Sequence, residues 1–307
     1  MTEADLYCEY KGVYVPKQLH PPESLKYYED FTFRQDDVLI VTFPKSGFLS
    51  PLSFLFFFLG TTWMQEIVPL IHSEGDLTPV HTIPNWKRVP WLEQERVIQL
   101  NLEQRPSPRI FSTHLHHSMM NDFYFKVKPK VIYVLRNPKD VFTSSFHYYG
   151  MAAYLVNPGT ADEFLQKFLK AKIIFGSWFE HVKGWLNAKD QDRIFYISYE
   201  EMIQVNISCY TLCSVTKIAQ FLEKPLSPEV IEKIAENCLF KNMKHNKMSN
   251  YSLVPEEFMD QKKSEFLRKG IAGDWKNLLT EAQVEKLNTF YKESMKDLQF
   301  KYNFVWD

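Results

Sequence analysis

Cysteine is scarce: Cys8, Cys209, Cys213 and Cys238 are the only four in 307 residues. Their irregular spacing makes no disulfide framework, so a reduced, cytoplasmic chain is expected. Net charge is nearly absent. Thirty-six basic side chains against 37 acidic ones leave a formal charge of -1, which argues against nucleic acid as a partner. The start, Met1-Thr2-Glu3-Ala4-Asp5-Leu6, has neither a basic n-region nor an apolar h-region, and Thr2 excludes an N-myristoyl glycine. There is no internal repeat. One run approaches membrane length: from Leu39 to Gly60 the only charge is Lys45, against the ~20 residues a span requires. Pro44, Gly47 and Pro51 interrupt it, and the unbroken part, Leu52 to Leu59, is too short. No stable membrane insertion is expected.

What is present reads as an ordinary globular chain, 45% apolar and 24% charged, with aromatics abundant at 16%. Strand-like and helix-like segments alternate. Val38 to Phe43, Lys130 to Leu135 and Arg193 to Ile197 are β-branched runs of the kind buried on both faces of a sheet. Thr61 to His72 reads as a helix capped by Gly60 or Thr61, and Pro138 suits a helix start. Phe175, Trp178, Phe179, Val182, Trp185 and Leu186 form a helical apolar stripe. After Phe240 a long polar segment reaches Gly273, a length typical of functional or disordered loops. The alternation predicts one α/β domain over residues 1–307, a central parallel sheet flanked by helices, with ligands at the carboxyl ends of its strands.

The chemistry concentrates where the first strand ends. Thr42-Phe43-Pro44-Lys45-Ser46-Gly47 is followed, after the thirteen uncharged residues Phe48 to Gly60, by Thr61-Thr62-Trp63. The two pieces look like halves of one P-loop-like strand–loop–helix. Backbone N–H groups at the helix start, the helix dipole and the Lys45 charge all suit an anionic phosphate. The order differs from a nucleotide-hydrolysing loop, because the lysine precedes the glycine. Taken alone, the same residues also describe an incidental strand–turn–helix.

Across the gap, Thr42 to Gly47 joined to Thr61-Thr62-Trp63 resembles the 5′-phosphosulfate loop of the cytosolic sulfotransferases. Arg136-Asn137-Pro138-Lys139-Asp140-Val141 with Ser144 resembles that family's 3′-phosphate element. Arg268-Lys269-Gly270 with Gly273-Asp274-Trp275-Lys276 is similar to its C-terminal signature. The resemblance implies that 3′-phosphoadenylyl sulfate is the co-substrate. Lys45, Ser46, Gly47, Thr61 and Thr62 would hold its phosphosulfate, and Arg136, Ser144, Arg268, Lys269 and Gly270 its 3′-phosphate. Arginine's planar fork suits phosphate oxygens; the plainer alternative pairs Arg136 with Asp140 on a helix surface. Trp63 and Phe240 would sandwich the adenine and Tyr199 would bond its edge, although each ring taken singly reads as core.

His114 matches the family's catalytic histidine. Titrating near neutrality, it would take the acceptor's hydroxyl proton, while Lys45 neutralises charge on the leaving phosphate. The scheme needs no metal, and His114, His116 and His117 lack further ligands at metal spacing. The resemblance implies a small-molecule hydroxyl acceptor as partner. Phe111-Ser112-Thr113-His114, Gly176 to Phe179 and Lys247 to Tyr251 resemble the alcohol and hydroxysteroid branch, with phenols the other option.

Departures from the family pattern stand beside this. If residues 48–59 loop out, closure costs about 2 kcal/mol plus a constant. If they displace Lys45 and Ser46, lost phosphate hydrogen bonds exceed about 5 kcal/mol, leaving a donor-impaired binding protein. Impairment is favoured, because the N–H groups of such a nest act together. A second irregularity, Val205 to Cys213, contains the sequon Asn206-Ile207-Ser208. The family's homodimer motif appears as Lys276, Thr280, Glu281 and Glu285, with glutamate in the valine place.

Overall fold

The computed structural model describes residues 2–45, 60–203, 209–264, 266–267 and 272–298. The Phe-rich segment, the sequon, Ser46, Gly47 and Arg268-Lys269-Gly270 lie outside the described residues.

Four strands form the expected parallel sheet: β3 (Val38–Thr42), β4 (Ile110–Thr113), β5 (Lys130–Leu135) and β6 (Ile194–Ser198), in spatial order β4-β3-β5-β6. Their composition explains their placement. Alternate side chains of β3 enter two different cores, Leu39 and Val41 one, Val38 and Ile40 the other. In β5, Val131, Tyr133 and Leu135 join the first core and Ile132 and Val134 the second. Fully burying each such aliphatic chain is worth about 1.5–3 kcal/mol. The first core takes the helix Trp178–Leu186, whose predicted stripe is buried at Trp178, Phe179, Val182 and Trp185. Phe175 is not part of that helix; Ser177 caps it instead. The second core takes the helix Gly60–His72, with Trp63, Met64, Ile67, Val68, Leu70 and Ile71 buried. That helix already includes Gly60, so Gly60 and Thr61 are its first residues rather than its cap.

The amino ends of β3 and β4 are clamped by a buried fork. Arg109 donates from Nε to Asp37 Oδ1 (2.9 Å) and from Nη2 to Oδ2 (2.6 Å). A two-stranded antiparallel hairpin precedes the sheet: β1 (Tyr7–Tyr10) and β2 (Val13–Pro16) turn through Lys11 and Gly12, both at positive φ (48° and 84°). Such a turn follows the twist of the strands it joins. This hairpin is not among the expected elements; its last residue, Pro16, borders the site.

Candidate active site

Parallel register puts the carboxyl ends of all four strands along one edge, and one residue of interest follows each strand closely. Lys45 comes three residues after β3, and His114, Arg136 and Tyr199 directly follow β4, β5 and β6. Because β4 and β5 flank β3 on opposite sides, this edge is a topological switch point, where α/β sheets open a crevice.

The end of β3 is tied to the start of its helix across the intervening segment. Thr42 Oγ1 and Thr61 Oγ1 lie 2.7 Å apart in a hydrogen bond. The Thr42 carbonyl accepts a 2.7 Å bond from His114 Nδ1. A carbonyl can only accept, so Nδ1 carries the proton and Nε2 keeps its lone pair. The imidazole is half-buried, stacked on Trp91 (centroids 4.1 Å, 32°) and met edge-on by Phe175 at 5.2 Å. Burial pushes its pKa down to about 3; the Thr42 carbonyl acts against this, and His20 and Lys45 add to it. The expectation that His114 titrates near neutrality is therefore corrected, since desolvation keeps the ring neutral. Its backbone N–H donates to Glu93 Oε1 at 2.9 Å. Glu93 is fully buried, and that burial raises its carboxyl pKa to about 7. Sequence reading passes over Glu93, whose only local signal is an acid in an apolar stretch, Val89-Pro90-Trp91-Leu92.

Lys45 adopts a left-handed backbone (φ 63°), a costly conformation for a residue with a Cβ. Its ammonium sits 4.4 Å from the Tyr148 ring centroid and 4.3 Å from that of Phe266. Its carbonyl accepts a 3.1 Å bond from Arg136 Nη1. Arg136 is completely buried, with its guanidinium 4.5 Å from the centre of the Tyr199 ring and 3.9 Å from Asp140. The alternative of a surface Arg136–Asp140 pair is thus corrected: both are interior, and Asp140 mainly serves other donors. Its Oδ2 accepts from Gly273 N (2.7 Å) and its Oδ1 from Trp275 N (3.1 Å). Burial raises the Asp140 pKa, opposed by Arg136 and by these two N–H groups. The clamp fastens Gly273 and Trp275 to Asp140, the carboxylate that faces Arg136. Asn137 N donates to Glu200 Oε1 at 2.8 Å, linking the ends of β5 and β6.

Lys45, Thr61, Thr62 and His114 line one cavity of about 380 Å³, walled by Trp86, Trp91, Tyr148, Tyr251 and Phe266. That is within the range of ~300–1,000 Å³ for small-molecule sites. Trp63 and Tyr199 are buried in the second core, with half-buried Phe240 packed against it. Ser144 is buried within the helix Pro138–Met151. These last residues do not border the cavity. Among the described residues, no group of three or more His, Cys, Asp or Glu is placed to hold a metal ion. No described helix is long and apolar enough to cross a membrane. Cys8 and Cys238 are free thiols.

Comparison with known proteins decides what this arrangement belongs to. The family described as "Sulfotransferase domain" matches residues 35–299. The chain belongs to the sulfotransferase family. Mouse sulfotransferase 2B1 is 43% identical over 302 residues, 98% of this chain and 83% of that protein. The guinea pig (Cavia porcellus) 3-beta-hydroxysteroid sulfotransferase is 38% identical, over 96% of each chain. The crystal structure of mouse sulfotransferase SULT7A1 complexed with PAP superposes with a TM-score of 0.74 at 28% identity, covering 95% of both chains. The chain is accordingly a sulfotransferase of the kind that draws on 3′-phosphoadenylyl sulfate. These relatives favour the enzyme over the donor-impaired binding protein. The donor set fits such an anion: a buried guanidinium, the amino end of a 13-residue helix and a lysine meet at one sheet edge.

Proposed function

We propose that the chain sulfates the hydroxyl of an apolar alcohol of the hydroxysteroid type. The observation that carries this reading is the tautomer of His114: a neutral ring with Nδ1–H committed to Thr42, beside a cavity walled by aromatic rings. Its Nε2 takes the acceptor's proton as the acceptor oxygen bonds to sulfur, and the bond from sulfur to the bridging phosphate oxygen breaks. The donor supplies an activated sulfuryl group and leaves as adenosine 3′,5′-bisphosphate. Lys45 provides positive charge on the same cavity. Thr61 and Thr62, with Ser46 and Gly47, hold the phosphosulfate. Arg136 and Ser144, with Arg268, Lys269 and Gly270, hold the 3′-phosphate, and Trp63, Tyr199 and Phe240 hold the adenine. The Glu93 carboxyl fixes the His114 backbone.

The guinea pig relative named for 3-beta-hydroxysteroids supports this acceptor class, and an uncharged aromatic wall suits a flat apolar body. The scarcity of cysteine supports a cytoplasmic location, and the Lys276–Glu285 segment, where Thr280 caps the helix Glu281–Met295, supports a homodimer. The acceptor assignment is tested by steady-state transfer of labelled sulfuryl to a neutral 3-hydroxysteroid and to a simple phenol. A higher kcat/KM for the steroid is expected; a clear preference for the phenol overturns it.

A further inference from the structure

The opposite edge of the sheet, where the strands begin, holds a second cavity of about 550 Å³, a volume suited to a small ligand. Val38 and Lys130, the first residues of β3 and β5, border it, as does Arg193, which directly precedes β6. The five-residue β3 separates it from the candidate active site by roughly 17 Å, at about 3.3 Å per residue. Two helix ends complete the walls. His72 is the last residue of the helix Gly60–His72. The helix Cys209–Phe221 closes through Glu223 at positive φ (58°), and Lys224 N donates back to the Ala219 carbonyl at 2.9 Å. That left-handed turn brings Lys224 to the cavity.

Charge in the cavity is only partly matched. Lys130 donates to the Phe221 carbonyl and pairs with Glu223, both at 2.8 Å. Arg193 donates from Nε to the Lys128 carbonyl (3.0 Å) and from Nη2 to the Gln35 carbonyl (3.1 Å), contacts that fix its plane without neutralising it. Among the described residues neither Arg193 nor Lys224 has a carboxylate within ion-pair distance. Asp36, the other acid on the cavity, accepts from the Ser107 hydroxyl at 3.2 Å. His72 adds an imidazole whose two nitrogens are both buried without a hydrogen-bond partner. Burial, then the Lys224 and Lys130 charges, lower its pKa to about 4, with Asp36 acting against them. A potential that keeps a proton off His72 is one that draws an anion in.

We propose that this cavity is a second anion site, taking a small tetrahedral oxyanion, sulfate or phosphate, between the Lys224 ammonium, the Arg193 guanidinium and a His72 ring N–H. Arginine's planar fork suits such oxygens, and the imidazole gains the partner it lacks. Glu223, by occupying Lys130, holds the affinity to a Kd of about 1–10 mM.

The probe is sodium sulfate, added to protein saturated with adenosine 3′,5′-bisphosphate, with sodium chloride at equal ionic strength as the control. Histidine-selective NMR reads the His72 and His114 rings separately, each assigned from its Gln variant. A saturable shift of the His72 ring with sulfate is expected, and none with chloride. Lys224→Ala should weaken sulfate about three- to fivefold, and Glu223→Gln, which frees Lys130, should tighten it by a similar factor. Bisphosphate affinity should be the same in both variants as in wild type. A His72 ring that ignores sulfate, one that responds equally to chloride, or equal sulfate affinity in wild type and Lys224→Ala overturns the site. Movement of His114 alone would put the ion at the reacting end and overturns it as well.

Discussion

Asp140 is where the account can be tested most quantitatively away from the reacting atoms. Its buried carboxylate receives the backbone N–H groups of Gly273 and Trp275, residues 133 and 135 positions away in sequence. Hydrogen bonds to a charged group contribute about 1.5–3 kcal/mol each. Removing both with Asp140→Ala should therefore cost about 3–6 kcal/mol, a large share of the ~5–15 kcal/mol that holds a domain folded. Asp140→Asn is the gentler probe. Its amide oxygen can still accept one bond, but the NH2 group then faces a backbone donor, so about half that loss is expected. Urea unfolding gives the stability, and calorimetry with adenosine 3′,5′-bisphosphate gives nucleotide affinity. Because the clamp holds Gly273 and Trp275 to the helix that follows Arg136, Asp140→Asn should weaken the bisphosphate about tenfold, roughly 1.4 kcal/mol. An Asn variant within about 0.5 kcal/mol of wild type in stability, with unchanged bisphosphate affinity, would refute the reasoning.

Other outcomes follow from the same geometry. His114→Gln should lower kcat by about 10²–10⁴-fold while bisphosphate binding stays within about twofold, as calorimetry would reveal. The acid limb of the wild-type kcat profile should lie below the ordinary imidazole value, because burial lowers the His114 pKa. Glu93 has a folded pKa raised by burial to about 7 from its ordinary value of 4.5, so the folded state binds the extra proton between those values and stability falls as pH rises through that window. Glu93→Gln removes that loss, so its stability relative to wild type should climb from pH 4.5 to 7, by at most about 3 kcal/mol. Deleting residues 48–59 should preserve the fold, since Thr42 and Thr61 already join strand to helix. The gain should be about 2 kcal/mol of closure entropy at most, with donor affinity changed by less than about tenfold; a much larger rise in affinity would mean that the segment obstructs the donor loop.

Much of the scaffold is legible in the sequence because it rests on local signals. The runs 38–43 and 131–135 are rich in β-branched residues and uncharged, and a strand feeding two cores needs no polar face. Strand ends then indicate where Lys45, His114, Arg136 and Tyr199 come together. What is not legible depends on distance. Glu93 matters only because β4 brings His114 beside it, and the low pKa of His114 comes from tertiary burial. The Asp140 clamp joins residues far apart in sequence, so Asp140 reads first as a simple i,i+4 partner of Arg136. The hairpin of β1 and β2 does carry a local signal, Lys11-Gly12 between short strands, but with only four residues on each side it is easily taken for loop.

The central claim is that the four strand ends assemble a site for sulfuryl transfer around a neutral histidine. Single-turnover transfer of labelled sulfuryl from 3′-phosphoadenylyl sulfate to a 3-hydroxysteroid, by wild type and by His114→Gln, tests it most directly. The account predicts transfer by the wild type and a rate at least about a hundredfold lower in the variant, with donor still bound. Equal rates in the two proteins, or no transfer by a wild type that binds both donor and acceptor, would contradict it.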